Sequence, residues 1–174
     1  MVKSKHTAKM REAIEAYQRN VDRELYNFIN DVLRDRDALP ITVGYLSEKQ
    51  RKEINKSLNK DKTRSWDDFY FASRCVIDAD AVRHIINRHG EQGSADSSMK
   101  DLRDIARMPY IIANFDEAEF FSIYSSEYMC ADGRPAPQVV LKKRIDGTYY
   151  VIEAVTDSKA NKSRIVSAYI DKSK

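Results

Sequence analysis

Apolar residues recur at steps of three and four along Met10, Ile14, Tyr17, Val21, Leu25, Phe28 and Val32, with charged residues between them. That period predicts one long amphipathic helix over residues 9–33. Arg34-Asp-Arg-Asp-Ala-Leu-Pro40 ends it, because the residue before a proline avoids the helical region. A near-heptad stripe either packs on the remaining chain or pairs with another helix, so self-association through this segment is an expectation. The boundary falls at residue 38, with a helical extension over 1–38 and a main domain over 39–174.

The pattern then shortens. Ile41-Thr-Val-Gly-Tyr-Leu46 reads as a strand, and Ser47 as the N-cap of a basic helix to about Leu58. Residues 59–65 form a polar loop, and Trp66-Asp-Asp-Phe-Tyr-Phe71 gathers four aromatics that read as core or lid. A strand within 71–77 leads into Ile77-Asp-Ala-Asp-Ala-Val-Arg-His-Ile-Ile-Asn-Arg-His-Gly90. Here Asp78 and Asp80 offer N-cap oxygens, Val82, Ile85 and Ile86 form an apolar stripe, and Gly90 supplies a left-handed stop. Residues 91–98 make a polar loop long enough to move as a rim. Another helix over 98–107 is stopped by Pro109, and Tyr110-Ile-Ile-Ala leads to an acidic turn.

In the last third the period changes to two. Residues 138–145, 149–155 and 164–170 are β-rich, the first two joined by Asp146-Gly147, and a further strand is expected near 120–124. Helices first and strands afterwards predict an α+β fold, with N-terminal helices packed on a C-terminal antiparallel sheet of about four strands.

Composition narrows the function classes. The 174 residues are 42% hydrophobic and 33% charged, which suits one ordinary domain. No run of eighteen apolar residues exists, so no membrane-spanning helix is expected. The first residues lack the apolar core of an export signal, and a cytoplasmic site of action is the expectation. Cys75 and Cys130 have no metal or redox spacing and are expected to be reduced. The net charge of +3 is unevenly spread. Residues 46–64 carry seven Lys or Arg against three acids, and residues 134–174 carry nine against four. Residues 114–132 hold five acids and no base. Two basic segments sharing a face would attract anions, nucleic acid being the usual partner, whereas a solvated face is the plainer reading.

Candidate chemistry centres on the helix that ends at Gly90. His84 and Arg88, four apart, share a face, while His89 is rotated from His84 by about 140°. His89 lies in the last turn, where the helix dipole favours the imidazolium, so it suits a proton donor or a phosphate contact. Arg83 and Arg88 are candidate substrate-binding groups on the same helix. Strand alternation puts Ile165, Ser167 and Tyr169 on one face, with Lys142 and Arg144 opposite the apolar side chains of their own strand. Imidazoles, hydroxyls and cations, with few carboxylates, suit attack of an RNA 2′-hydroxyl on its own phosphate without metal or cofactor. Zinc fits poorly, because His-x4-His is not the i,i+4 helical spacing. Each of these residues also has a structural reading: a C-cap histidine, a core histidine, strand hydroxyls with local partners.

The order of these motifs resembles the phage and polymorphic-toxin nucleases of the barnase–EndoU–colicin–RelE-like superfamily. The matching stretches are Thr42-Val-Gly-Tyr-Leu46, Ile77 through Gly90, Asp101-Leu-Arg-Asp-Ile105 with Met108-Pro109, Leu141 through Ile152, and Ser167-Ala-Tyr169. The resemblance covers residues 41 to 170. It implies an endoribonuclease with a helical part before a four-stranded antiparallel sheet, leaving a 2′,3′-cyclic phosphate. By residue, it implies roles for His84, His89, Lys142, Ser167 and Tyr169, with serine standing where threonine is usual. It also implies an RNA partner, tRNA among the classes, and an immunity or antitoxin protein. The alternative is a non-catalytic nucleic-acid- or protein-binding module of a phage or mobile element.

Overall fold

In the computed structural model, which describes residues 2–60, 73–130, 132–156 and 162–173, the first amphipathic stripe is broken into two helices. These are α1 (Val2–Arg19) and α2 (Arg23–Leu33). Asp22 turns the chain: its carboxylate caps α2 by accepting from the Leu25 N–H at 2.8 Å, and its own N–H donates to the Ala106 carbonyl at 2.9 Å. The predicted single helix is therefore corrected, a local cap prevailing over a continuous period. The break lets both helices reach one core. Leu25, Phe28, Ile29 and Val32 are buried in it, and Tyr17 donates to Asp104 at 2.6 Å. Arg107 binds the same carboxylate at 2.7 Å and donates to the Gln18 carbonyl.

Ten elements follow: β1 (Ile41–Tyr45), α3 (Glu48–Leu58), β2 (Arg74–Ile77), α4 (Ala79–His89), α5 (Leu102–Ala106), α6 (Met108–Asn114), β3 (Glu117–Met129), β4 (Pro135–Ile145), β5 (Gly147–Ala154) and β6 (Ser163–Asp171). Ser47 caps α3 in a reciprocal box with Gln50, as its position before the basic run predicts. The helix expected over 98–107 is shorter, α5 ending at Ala106 ahead of Pro109, and a new helix begins there. Pro109 sits in the first turn of α6, where a missing N–H costs nothing. The aromatic cluster at 66–71 lies outside the described residues.

The fold is α+β, but the sheet has six strands in the order β1-β2-β6-β5-β4-β3 and is mixed rather than a four-stranded antiparallel one. The added pair are the short β1 and β2, antiparallel to each other, with β2 parallel to β6 through Cys75↔Ser163 and Val76↔Arg164. The Asp146-Gly147 turn joins β4 to β5 as expected. Gly147 has φ +96°, and a Cβ there would lie 2.8 Å from the Asp171 carbonyl oxygen.

One sheet face, with Val139, Leu141, Tyr149, Val151, Ile165, Ala168 and Ile170, meets α2, α4, α5 and α6 in a single core. The expected grouping of Ile165 with Ser167 and Tyr169 is corrected. Pairing steps from Ile152↔Ser167 to Glu153↔Ile165, which leaves Val166 as an extra residue and turns Ile165 inward. Within this interior Glu153 is fully buried; among the described residues its Oε1 has no hydrogen-bond partner, and the Cys75 Sγ lies 3.7 Å from its Oε2. Cys75 is a buried free thiol.

Two stability predictions follow from this interior. Ile29→Ala, at a fully buried site on α2, should cost about 2–5 kcal/mol by urea unfolding if α2 belongs to the cooperative core; a loss below about 0.5 kcal/mol would contradict that. Burial pushes the Glu153 carboxyl up to about 7 from its ordinary 4.5. An unfolded glutamate releases its proton first, so stability is full below pH 4.5, falls as pH rises to about 7, and then levels. The fall should reach about 3 kcal/mol and be largely absent in Glu153→Gln.

Candidate active site

The short parallel pairing positions the histidine helix. Beyond Val76↔Arg164 the chain leaves the sheet, and α4 continues in the direction of β6 and packs along it. Asp78 makes the transition: it caps α4 by accepting from the Ala81 N–H at 2.8 Å, accepts from the Tyr128 hydroxyl at 2.9 Å, and lies 3.7 Å from Arg164. Asp80 does not cap the helix; it pairs with Arg83 at 3.2 Å. Val82 and Ile85 enter the core, while His84 lines a cavity and His89 stacks on Tyr169 of β6.

His89 joins a row that crosses this face. Register places Lys142 opposite Tyr150 and Tyr150 opposite Tyr169. The Tyr150 and Tyr169 rings stack at 4.8 Å, and the buried His89 ring stacks on Tyr169 at 5.1 Å. The His89 Nδ1 lies 3.0 Å from the Asp96 carboxylate, so Nδ1–H donates and Nε2 is presented for chemistry. Burial works against the Asp96 charge, but hydrogen bonds from Ser98 and His89 hold its carboxyl below the ordinary value. Burial, with Tyr150 and Asp171, raises the Tyr169 phenol, which therefore stays a protonated donor. Ser167 faces the same side two residues earlier and is buried.

The loop that carries Asp96 is tied down rather than free to move as a rim. Ser94, Ala95 and Met99 donate backbone N–H bonds to the carbonyls of Asn87, Arg88 and His89, satisfying the end of α4. Gly90 has φ −76°, so the expected left-handed stop is corrected. Glycine is needed there for space, since a Cβ would lie 2.5 Å from the Ile86 carbonyl oxygen.

His84 faces a neighbouring cavity of about 200 Å³, walled by α4, β6, Gln138 of β4 and residues 125–128 of β3. The outer β3–β4 hairpin closes this side because Ser125 Oγ accepts from the N–H groups of Glu127 and Tyr128, bending β3 out of register. Tyr128 then reaches Asp78, with the Arg164 guanidinium over its ring. Burial, then Arg88 and His89, lower the His84 pKa against the opposing pull of Glu127, so the ring is neutral near pH 7.

The predicted cations are not equivalent. Lys142 is held by Glu119 at 2.5 Å and Glu117 at 3.6 Å. Partial burial opposes its charge, yet these carboxylates raise its pKa. Arg88 is exposed beside His84, whereas Arg83 is tied to Asp80 and the exposed Arg144 lies at the far end of β4. The expectation of a site short of carboxylates thus gives way to one with acids at its margins: Asp96, Glu117, Glu119 and Glu127. Tyr150 and Asp96 were missed from sequence. Tyr150 could have been found by counting back from the Asp146-Gly147 turn to the partner of Lys142; nothing local signals Asp96. Among the described residues no three His, Cys, Asp or Glu side chains converge as a metal-binding group, and no helix is long and apolar enough to cross a membrane.

A family model described as phage-Barnase-EndoU-ColicinE5/D-RelE like nuclease3 matches residues 43–174, a span that includes every residue of this site but neither α1 nor α2. No curated protein and no solved structure matches the chain. The His89–Asp96 pair makes a direct prediction. Nitrogen NMR at a pH where the imidazole is neutral should find the His89 proton on Nδ1, and Asp96→Ala should shift it toward Nε2. An unchanged tautomer in the variant would show that Asp96 does not set it.

Proposed function

This chain belongs to the phage-Barnase-EndoU-ColicinE5/D-RelE like nuclease3 family, and we propose that it is a metal-independent endoribonuclease. The observation that carries this reading is the pairing of two differently prepared histidines on one helix: His84 held neutral, His89 oriented by Asp96. A base and an acid are the two proton-transfer groups that 2′-hydroxyl attack requires.

In this reading His84 takes the 2′-hydroxyl proton as O2′ attacks phosphorus. The P–O5′ bond breaks, and O5′ receives a proton from His89 Nε2, leaving a 2′,3′-cyclic phosphate and a 5′-hydroxyl. Asp96 balances the imidazolium before transfer. The Tyr169 and Ser167 hydroxyls, with the exposed Arg88, stabilise the developing phosphoryl charge. Lys142 contributes only when an incoming phosphate competes with Glu119, so its part is secondary. Arg83 and Arg144 hold flanking phosphates. The substrate class, with tRNA the first to try, an inhibitory immunity protein and a cytoplasmic site of action belong to the same proposal.

The test is cleavage of a labelled oligoribonucleotide across pH. His84→Ala and His89→Ala should each lower kcat by roughly 10²–10⁴-fold. The rising limb should have its midpoint below the ordinary imidazole value of 6.5, because the base works when neutral. Arg88→Ala should move that midpoint upward by removing one of the influences that depress it. Cleavage that survives loss of both histidines would remove the mechanism; RNA bound but never cut would favour the non-catalytic binding module.

A further inference from the structure

The cavity beside His84 contains a group that the cleavage mechanism does not use. Gln138 is more than nine-tenths buried and lines the cavity. An amide on a cavity wall offers a donor group and an acceptor to whatever enters. Among the described residues the same walls carry Asp80 and Glu127 but no Lys or Arg. A phosphate is therefore a poor occupant. A planar neutral group with hydrogen-bonding edges is a good one.

We propose that this cavity is a nucleobase subsite that selects a base bearing an exocyclic amino group, adenine, cytosine or guanine, over uracil. The proposal rests on the ribonuclease reading for its biological sense, though not for its measurement. Gln138 pairs with an amino hydrogen and the adjacent ring nitrogen, the two-point contact an amide makes with a base edge. An amino group has a second hydrogen, and the Glu127 carboxylate is the acceptor for it. Uracil presents one imide N–H between two carbonyls, so one carbonyl would face the Glu127 carboxylate unpaired. Gln138 thus recognises a base edge and Glu127 discriminates between bases. The location fits, since His84 belongs to both cavity and proposed active site, which places the selected base next to the scissile phosphate.

Fluorescein-labelled pentadeoxynucleotides, dUdUdNdUdU, lack the attacking 2′-hydroxyl and report binding without cleavage. With the full-length protein, at least one amino-bearing base at the central position should bind roughly tenfold or more tightly than uracil by fluorescence anisotropy. Glu127→Gln changes an exposed side chain, and should narrow that preference to within about threefold by offering uracil a donor. Gln138→Leu keeps the volume and should weaken all the amino-bearing ligands, with circular dichroism reporting that the fold is intact. Equal affinity for all four bases, or a preference unchanged in Glu127→Gln, would overturn the proposal. Preference without cleavage of the matching RNA would overturn the ribonuclease reading alone; cleavage without preference would overturn the subsite alone.

Discussion

Parallel pairing between β2 and β6 covers only Cys75↔Ser163 and Val76↔Arg164, and the position of the histidine helix depends on that brevity. Had β2 run on, a strand would occupy the flank of β6 that α4 fills. Asp78 sits at the departure point and holds three elements together: the first turn of α4, Tyr128 on the β3–β4 hairpin, and Arg164 on β6. From this junction the rest follows geometrically. Val82 and Ile85 turn to the core, His89 settles on Tyr169, and His84 faces the cavity under the hairpin.

The sheet divides its labour by face. On one side helices bury the aliphatic residues; on the other, Lys142, Tyr150, Tyr169 and His89 form a continuous polar row. The acids that border this row limit what it accepts. Glu119 and Glu117 neutralise Lys142, so the acidic segment and the basic hairpin, separate in sequence, cancel locally in space. The face is therefore not a uniformly basic groove. A phosphate reaching Lys142 would have to displace a carboxylate.

Much of the site was legible because helical and strand periods are rigid. The 140° between His84 and His89 sends them to adjacent but distinct surroundings, and alternation puts Lys142, Ser167 and Tyr169 on one face. The hairpin turn even encodes the Lys142–Tyr150 partnership. What escaped local pattern is tertiary or depends on a single residue. Asp22 splits a helix whose stripe is otherwise continuous. Val166 is an extra residue that moves Ile165 to the core, and no alternation rule anticipates it. β1 and β2 were expected as strands, but nothing local joins them to β6 in one six-stranded sheet. Asp96 reaches His89 only because its loop folds back on the end of α4.

The central claim is that this nuclease-family chain cuts RNA with side chains alone. The most direct test incubates the protein with end-labelled RNA in excess EDTA and identifies the new termini by mass spectrometry. The account predicts undiminished cleavage with 2′,3′-cyclic phosphate and 5′-hydroxyl ends. Cleavage that stops in EDTA and returns with a divalent cation, or products ending in 5′-phosphate, would contradict it.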